Sequence, residues 1–243
     1  MTHNILITGS LGFIGSCLTK LLVNTTNYNI VMLDTKTYAA DVRRLEEIKN
    51  KIDLNNRLYI GDICNKKLVE RIIQEHNVDI IINMAANTHV DNAIKDSEPF
   101  IHSNYIGVWN HLEIIKDNKE KGKDIKMIQI STDECYGSIL EGSFKETDIL
   151  NPGNPYSSSK AGADLLCLAY KNTFDLDVVI TRSSNNYGQG QHLEKYIPRM
   201  IKLAIEGKDL EIFGNGCNIR DWLYVSDNSN AIQIVMEKGV KGE

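Results

Sequence analysis

Short apolar segments alternate with amphipathic stretches along most of the chain. Strands are predicted at Asn4–Thr8, Ile30–Leu33, Leu58–Ile60, Ile80–Met84, Met127–Ser131 and Val178–Arg182. Helices are predicted at Gly12–Val23, Lys66–His76, Pro99–Lys116 and Tyr156–Lys171. Two strands are continuously apolar, which is typical of strands buried on both faces. The pattern therefore predicts an α/β fold, a doubly wound parallel sheet with helices on both faces.

The alternation stops after Arg182. Ser183–Gln191 is polar and contains glycine, and a helix is predicted at Lys195–Glu206. Ile212–Asn215 leads into a turn at Gly214–Gly216. The last predicted helix is Ser226–Lys238, with Ser226 or Asp227 as its N-cap. This change of pattern divides the chain at about residue 182.

Charge and composition exclude several classes of protein. The chain has 243 residues and a net charge of −5, without a basic stripe, so nucleic acid is not an expected partner. No apolar run reaches the roughly 20 residues that span a bilayer, and no signal peptide is recognisable. We therefore expect a cytoplasmic protein without a membrane partner.

The cysteines are dispersed along the chain: Cys17, Cys64, Cys135, Cys167 and Cys217. An odd number without CxxC spacing predicts reduced thiols and no structural zinc. We expect no metal site.

A glycine-rich turn follows the first strand and opens the first helix. Its glycines Gly9, Gly12 and Gly15 form a GxxGxxG motif. Glycines let the backbone approach a pyrophosphate, whose charge then lies at the helix N-terminus. An ordinary glycine-rich turn is the alternative, and the strand–turn–helix context favours dinucleotide binding.

Asp34 ends the second strand, where a carboxylate can bind a ribose 2′-hydroxyl. A carboxylate there would repel the additional phosphate of NADP, so NAD is the expected cofactor, although Lys36 lies nearby. Asp62 follows the third strand, either beside the adenine amino group or as a capping residue. The sequence leaves these two roles of Asp62 open.

Two further segments carry candidate catalytic chemistry. Tyr156 and Lys160 are four residues apart on one predicted helix face, so the ammonium can approach the phenol and lower its pKa. Asp133 and Glu134 follow the fifth strand, where open parallel sheets bind ligands. Burial and crowding can hold one carboxyl protonated while the other stays ionised. A solvated loop is the alternative for this pair.

With these motifs the chain resembles the NDP-glucose 4,6-dehydratases, which are extended short-chain dehydrogenases that act on dTDP-glucose or UDP-glucose. Matching segments include Thr37-Tyr38-Ala39, Gly61-Asp62-Ile63, Ala85-Ala86, Thr88-His89-Val90-Asp91, Ser131–Glu134, Arg182–Gly188, Glu194-Lys195 and Ile219–Val225. The Thr-Asp-Glu triplet is generally absent from the related epimerases and decarboxylases. The resemblance therefore implies a Rossmann fold, with a NAD-binding domain at residues 1–182 and a substrate-binding portion at 183–243.

The resemblance also implies roles for individual residues. Tyr156, Lys160 and Thr132 would serve oxidation at sugar C4, Glu134 would remove the C5 proton, and Asp133 would protonate the leaving C6 hydroxyl. NAD would be contacted by Gly9, Gly12, Phe13, Ile14, Gly15, Asp34, Thr37, Asp62, Ile63, Ala85, Ala86, Thr88, Ser103, Tyr156 and Lys160. The sugar or pyrophosphate would be contacted by Thr88, Thr132, Asn185, Glu194, Lys195 and Arg220.

The implied reaction converts an NDP-glucose, with dTDP slightly favoured over UDP, into a 4-keto-6-deoxy sugar for rhamnose or other deoxysugar synthesis. A nucleotide-sugar epimerase and an inactive NAD-binding regulatory protein are the alternatives. A homodimer is implied through Pro99–Lys116 and Tyr156–Lys171, with Phe100, Ile101, Tyr105, Trp109, Leu165, Leu166, Leu168 and Ala169 as candidate apolar surface. Packing of most of these side chains against the protomer's own sheet is the alternative.

Two features depart from the family pattern. Cys135 replaces the usual apolar residue, and we expect it to be buried and structural. Family members also continue beyond the segment that matches Lys238–Glu243, so the substrate-binding portion is expected to be incomplete after residue 243.

Overall fold

Six parallel strands form one sheet in the order β3-β2-β1-β4-β5-β6. The computed structural model describes residues 2–212 and 214–242. The strands of this sheet are β1 (Asn4–Thr8), β2 (Asn29–Asp34), β3 (Leu58–Ile60), β4 (Ile80–Asn83), β5 (Lys126–Thr132) and β6 (Val178–Ser183). The helices are α1 (Phe13–Thr25), α2 (Leu54–Arg57), α3 (Lys66–Glu75), α4 (Val90–Lys95), α5 (Glu98–Ile101), α6 (Gly107–Glu120), α7 (Pro155–Phe174), α8 (Tyr196–Ile205) and α9 (Val225–Lys238). The prediction of a doubly wound parallel sheet is confirmed.

Helices cover both faces of the sheet. On one face, Leu6, Ile81 and Met127 pack with apolar side chains of α3, α6 and α7. On the other, Ile5 and Ile82 pack with side chains of α1 and α9. Successive residues of a strand point to opposite faces, so a strand buried on both sides must be apolar throughout. This requirement explains the continuous apolar strands in the sequence.

The carboxyl ends of the central strands meet at one edge. Thr8 is in register with Asn83, and Asn83 with Gln129. The Thr8 hydroxyl donates to Asn83 Oδ1 at 2.7 Å, and Asn83 Nδ2 donates to Gln129 Oε1 at 2.8 Å. The backbone N–H groups of Met84 and Ala85 donate to Thr8 Oγ1. These buried bonds fix the loop after β4 at the sheet edge.

Two helix predictions are corrected by the structure. The predicted helix Pro99–Lys116 runs from Glu98 to Glu120 and contains a π-helical turn, His102–Ile106. The last helix begins at Val225 and its N-cap is Tyr224, without a side-chain cap bond, so the prediction of Ser226 or Asp227 was wrong. Short strand pairing ahead of this helix already sets the direction of the backbone.

A small second sheet was not predicted. It pairs β7 (Asn185–Tyr187) with β8 (Trp222–Tyr224) in parallel. The predicted turn is present, with positive φ at Gly214 and Gly216, while Phe213 of the segment before it lies outside the described residues. Helix α9 follows β8 and packs back against α1, burying Ile232 and Met236.

No helix in ranges 2–212 and 214–242 is long and apolar enough to cross a membrane.

Candidate active site

A cavity of about 520 Å³ lies at the carboxyl ends of the strands. All the residues expected to contact the cofactor line it: Gly9, Gly12, Phe13, Ile14, Gly15, Asp34, Thr37, Asp62, Ile63, Ala85, Ala86, Thr88, Ser103, Tyr156 and Lys160. Of the expected substrate residues, it is lined by Thr88, Thr132, Asn185, Glu194 and Lys195. The fold thus brings to one cavity the whole predicted cofactor set and, of the predicted substrate set, every residue except Arg220.

The glycine-rich turn is packed too closely for side chains. Gly9 has φ +67°, and a Cβ there would lie 2.8 Å from the Ala85 nitrogen. A Cβ on Gly15 would lie 2.1 Å from the Gly9 carbonyl oxygen. Gly12 is the N-cap of α1 and offers no side-chain bond to the first N–H groups of the helix. The turn therefore leaves a helix N-terminus free to face an anionic ligand.

Asp34 is held at the end of β2 by backbone donors. Its Oδ2 accepts from Leu11 N at 2.9 Å, and its Oδ1 accepts from Lys36 N at 2.8 Å. The side chain is almost fully buried and still lines the cavity. Its position beside the glycine turn suits a ribose hydroxyl and opposes an additional phosphate.

Asp62 does not cap α3, whose N-cap is Asn65; its Oδ1 accepts from Cys64 N at 2.8 Å and stabilises the turn after β3. It also lines the cavity, so a contact with adenine is compatible with this bond.

Although no cysteine or histidine ligands cluster along the sequence, the donor atoms of Asp62, Cys64 and His102 lie within 4.8 Å of one another. Burial, followed by the Asp62 charge, raises the pKa of Cys64 to about 12, so the thiol is protonated at neutral pH.

Tyr156 and Lys160 lie in the first turns of α7, which is started by a capping box. Asn154 Oδ1 accepts from Ser157 N, and Asn154 N donates to Ser157 Oγ. Both predicted catalytic side chains are buried at the cavity wall.

The expected lowering of the Tyr156 pKa by Lys160 was wrong for this structure. Lys160 Nζ donates to the Ile130 carbonyl at 2.6 Å, so its hydrogen bond goes to the backbone of β5. Burial, followed by the negative charge of Glu134, raises the pKa of Tyr156. A hydrogen bond with the Thr132 side chain acts in the opposite direction. The pKa of the phenol is therefore sensitive to the protonation state of Glu134.

The carboxylate pair follows β5 in a 3-10 turn, Asp133–Tyr136. Thr132 Oγ1 donates to Asp133 Oδ1 at 3.2 Å, while Asn154 Nδ2 donates to Glu134 Oε2 at 3.4 Å. Burial raises the pKa of both carboxyls, and the Asp133 charge contributes further to that of Glu134. Glu134 lines the cavity, whereas Asp133 is not among its lining residues.

The residues expected to bind the substrate differ in whether they line the cavity. Lys195 Nζ donates to the carbonyl and hydroxyl oxygens of Thr88 at 3.1 and 3.3 Å. Asn185 begins β7, and Glu194 precedes Lys195 on the same side of the cavity. Arg220 is exposed and outside the lining residues, although its charge lowers the pKa of both Asp133 and Glu134. It is near the carboxylates without contacting the cavity.

Sequence reasoning missed a buried ion pair beneath this site. Asp164 Oδ2 accepts from Arg182 Nε at 2.7 Å and from the Ser131 hydroxyl at 2.9 Å. Arg182 also donates to the Tyr136 hydroxyl at 2.8 Å. Asp164 lies four residues beyond Lys160, and residues four apart share one face of a helix. This spacing could have predicted that Asp164 lies on the same face as Lys160. Cys135 is fully buried beside this network, as predicted.

The π-helical turn was also missed. Its residue Asn104 donates to Ser159 Oγ at 2.9 Å and to the Asn87 carbonyl at 3.0 Å, and accepts from Asn87 N. These bonds connect the loop after β4 to α7. The same turn presents Ser103 to the cavity. Such turns are common at functional sites.

Comparison with known proteins gives consistent matches over nearly the whole chain. The family model described as GDP-mannose 4,6 dehydratase matches residues 6–243. The chain is 41% identical over 242 residues to the low-salt glycan biosynthesis protein Agl12 of Haloferax volcanii, covering 99% of this chain and 75% of that protein. It is 40% identical over 250 residues to the dTDP-glucose 4,6-dehydratase of Haemophilus influenzae, covering 99% and 72%.

A solved structure with a closely similar fold is the dTDP-glucose 4,6-dehydratase of Bacillus anthracis in complex with NAD. Its TM-score is 0.89 at 41% identity, and the match covers 100% of this chain and 74% of that one. This chain thus spans about three quarters of the length of these proteins.

Proposed function

This chain belongs to the GDP-mannose 4,6-dehydratase family, and we propose that it is an NAD-dependent hydro-lyase converting an NDP-glucose to the NDP-4-keto-6-deoxy sugar. The observation that carries the proposal is the Asp133–Glu134 pair after β5, beside Tyr156 and Thr132. dTDP-glucose is the favoured substrate, on the names of the relatives. Rhamnose or another deoxysugar is the proposed end of the route.

The cavity residues fit NAD. Gly9, Gly12 and Gly15 leave room for a pyrophosphate at the N-terminus of α1, and Asp34 offers a carboxylate to a ribose hydroxyl. Asp62 also lines the cavity. When bound, NAD supplies a hydride acceptor that returns the hydride within the same turnover.

Tyr156 is proposed to take the proton of the C4 hydroxyl as C4 is oxidised. The Thr132 side chain acts on the pKa of the phenol in the direction that favours its ionised form, against the effect of burial. The ammonium of Lys160 is held by the Ile130 carbonyl. From this position its positive charge is proposed to act on the bound cofactor. A hydroxyl proton must leave with the hydride, so a positioned base is required for this step.

Glu134 is proposed to remove the C5 proton, which becomes acidic once C4 is a ketone. Asp133 is proposed to protonate the departing C6 hydroxyl. Burial raises the pKa of both groups, which favours exchange of protons near neutral pH. When Glu134 takes up a proton it loses the charge that raises the pKa of Tyr156, so the two steps are electrostatically coupled.

Residues 183–243 are proposed as the substrate-binding portion and 1–182 as the NAD-binding domain. Lys195, Asn185 and Glu194 border the cavity from that portion, and Thr88 borders it from the NAD-binding domain. A Lys or Arg charge suits a pyrophosphate, and Arg220 is close enough to influence the carboxylate pair. Helix α9 belongs to residues 183–243 by sequence but packs against α1 of the NAD-binding domain.

The carboxylate pair also separates the proposal from an epimerase. An epimerase needs only the oxidation and reduction at C4, for which Tyr156 and Lys160 suffice. A buried base and acid beyond them are needed when water leaves across C5 and C6. An inactive regulator would need none of these four side chains.

A cytoplasmic homodimer is the proposed form of the protein. Ile101, Trp109 and Leu165 are exposed on the helices expected at the interface. Phe100 was wrongly included in the expected interface, because it is buried against Tyr156 inside the protomer.

The dimer is tested by sedimentation at micromolar protein with Leu165→Lys, which should shift the chain to a monomer. Ile234→Lys, an exposed position on α9, is the control and should sediment as the parent. A folded parent that sediments as a monomer contradicts the proposal.

Product analysis tests the activity. The NAD-loaded chain should convert dTDP-glucose, or UDP-glucose more slowly, to a 4-keto-6-deoxy product. A galactose epimer as product would support the epimerase, and loss of neither substrate would support the regulatory alternative.

A further inference from the structure

Three loops meet on one side of the cavity. They are the glycine-rich turn, the loop after β2 at residues 35–40, and residues 188–195, which we call the strap. Each of the three contributes lining residues. The strap follows β7 and ends just before α8, so it connects two elements of the substrate-binding portion.

Arg44 joins all three loops through backbone carbonyls. It lies in the 3-10 turn Val42–Ile48 and is half-buried at the cavity wall. Its Nη1 donates to the carbonyl of Leu11 at 2.7 Å and to that of Ala39 at 2.8 Å. Its Nε donates to the carbonyl of Gly190 at 3.1 Å. A planar guanidinium with donors in a fixed fork can satisfy this arrangement, and a lysine ammonium cannot reproduce it.

Three further contacts hold the strap over the cavity. Tyr38 Oη donates to Glu194 Oε1 at 3.2 Å, and the Tyr38 ring packs edge-on against His192. Lys195 Nζ donates to Thr88 on the opposite side. The strap is therefore fastened at both of its ends, and Arg44 is the fastener that reaches the glycine-rich turn.

We propose that Arg44 is a positioning residue that holds the strap closed over the bound dinucleotide and so slows the exchange of NAD. The inference rests on the proposed function, since a dehydratase must return the hydride from the same cofactor molecule that received it. A cofactor that left between the two hydride transfers would strand the oxidised sugar. Retention of NAD is thus a requirement of the chemistry.

A direct phosphate contact is the competing role for an arginine near Asp34. Three of the five N–H donors of Arg44, one on Nε and two on Nη1, are directed at carbonyl groups, so a direct phosphate contact would have to come from Nη2. The Asp34 carboxylate also remains in place to oppose a 2′-phosphate. A ligand of the 2′-phosphate would change the binding of NADP and leave NAD release unchanged, whereas a fastener would change NAD release, so NADP binding is titrated for each variant beside the release of NAD.

Arg43 provides a matched control. It is the adjacent residue, it has the same charge, and its exposed guanidinium pairs with Asp41 instead of the cavity loops. Replacing Arg43 changes the net charge as replacing Arg44 does and leaves the strap untouched.

The test measures the release of NAD from the loaded protein, without substrate, after dilution into an excess of an NAD-consuming enzyme. Arg44→Met should release NAD at least about tenfold faster, as expected for loss of about 1.4 kcal/mol of closure, and Arg43→Met should match the parent. Arg44→Lys should not restore slow release. Arg44→Gln keeps part of the donor set, and its rate of NAD release is compared with that of the parent if Arg44→Met does not fold.

Parental release rates in the folded Arg44 variants would overturn the inference. So would equal acceleration by Arg43→Met, or selective loss of NADP binding with normal NAD release. Because release is measured on NAD alone, a chain that binds NAD but fails to dehydrate any glucose nucleotide would refute the proposed function without affecting this result.

Discussion

A buried histidine gives the chain a predictable loss of stability in acid. His111 lies on α6 with its side chain fully buried, and within the described residues neither ring nitrogen has a hydrogen-bond partner. Burial lowers the pKa of His111 from 6.5, the ordinary value for histidine, to about 4. The folded state therefore binds this proton more weakly than the unfolded state does. The stability from the neutral ring is complete above pH 6.5 and is lost as the pH falls toward about 4.

The difference between 6.5 and about 4 corresponds to about 3 kcal/mol of unfolding free energy. His111→Leu removes the titrating group and two unsatisfied ring nitrogens. The free energy of unfolding of the variant should therefore depend less on pH, by the amount that His111 contributes. An unsatisfied buried polar group costs about 1–3 kcal/mol. The variant should therefore equal or exceed the parent in stability at pH 7.

Urea unfolding at pH 7.5 and pH 4.5 measures the effect. The parent should lose about 2–3 kcal/mol more than His111→Leu between these values. His102→Leu, at an exposed position on the neighbouring turn, is the control and should lose as much as the parent. Parallel losses in the parent and His111→Leu would refute the reasoning.

Two changes at the site have distinct expected outcomes. Tyr156→Phe removes the base at C4 and should lower turnover by about 10²–10⁴-fold with NAD affinity nearly unchanged; steady-state turnover near that of the parent would contradict its role. Gly15→Ala would place a Cβ 2.1 Å from the Gly9 carbonyl oxygen, so the turn must open and NAD affinity should fall at least about tenfold. Gly153→Ala, where a Cβ meets nothing within 4 Å, is the control, and equal NAD titrations for the two variants would exclude the steric explanation.

The sheet and the cofactor-binding loops were predictable because their signals are local. Ile80-Ile81-Ile82 is apolar at every position, and only a strand covered on both faces requires this. The glycine spacing and Asp34 are likewise read within one strand–helix–strand unit. Long-range pairing carries no such pattern: β7 and β8 are three residues each and lie 34 residues apart, so their pairing could not be inferred.

Side-chain direction was the second limit. Tyr156 and Lys160 were placed correctly on one helix face, but the sequence did not reveal that the ammonium points to the Ile130 carbonyl. Nor did it reveal that Arg44 reaches three loops, since its acceptors are backbone carbonyls that any residue supplies. Asp164 was within reach of prediction, because a polar residue at the spacing of Tyr156 and Lys160 shares their buried face.

The central claim is that Glu134 is the base that makes this chain a dehydratase, and one isotope measurement tests it most directly. Glu134→Gln keeps Tyr156, Lys160 and the cofactor cavity, so C4 oxidation should still occur. Incubated in deuterium oxide with dTDP-glucose, the variant should accumulate reduced cofactor and a 4-keto-glucose nucleotide without deuterium at C5. Asp133→Asn, the matched control, should incorporate deuterium at C5 while it loses water slowly. Normal dehydration by Glu134→Gln, with solvent deuterium at C5, would contradict the account.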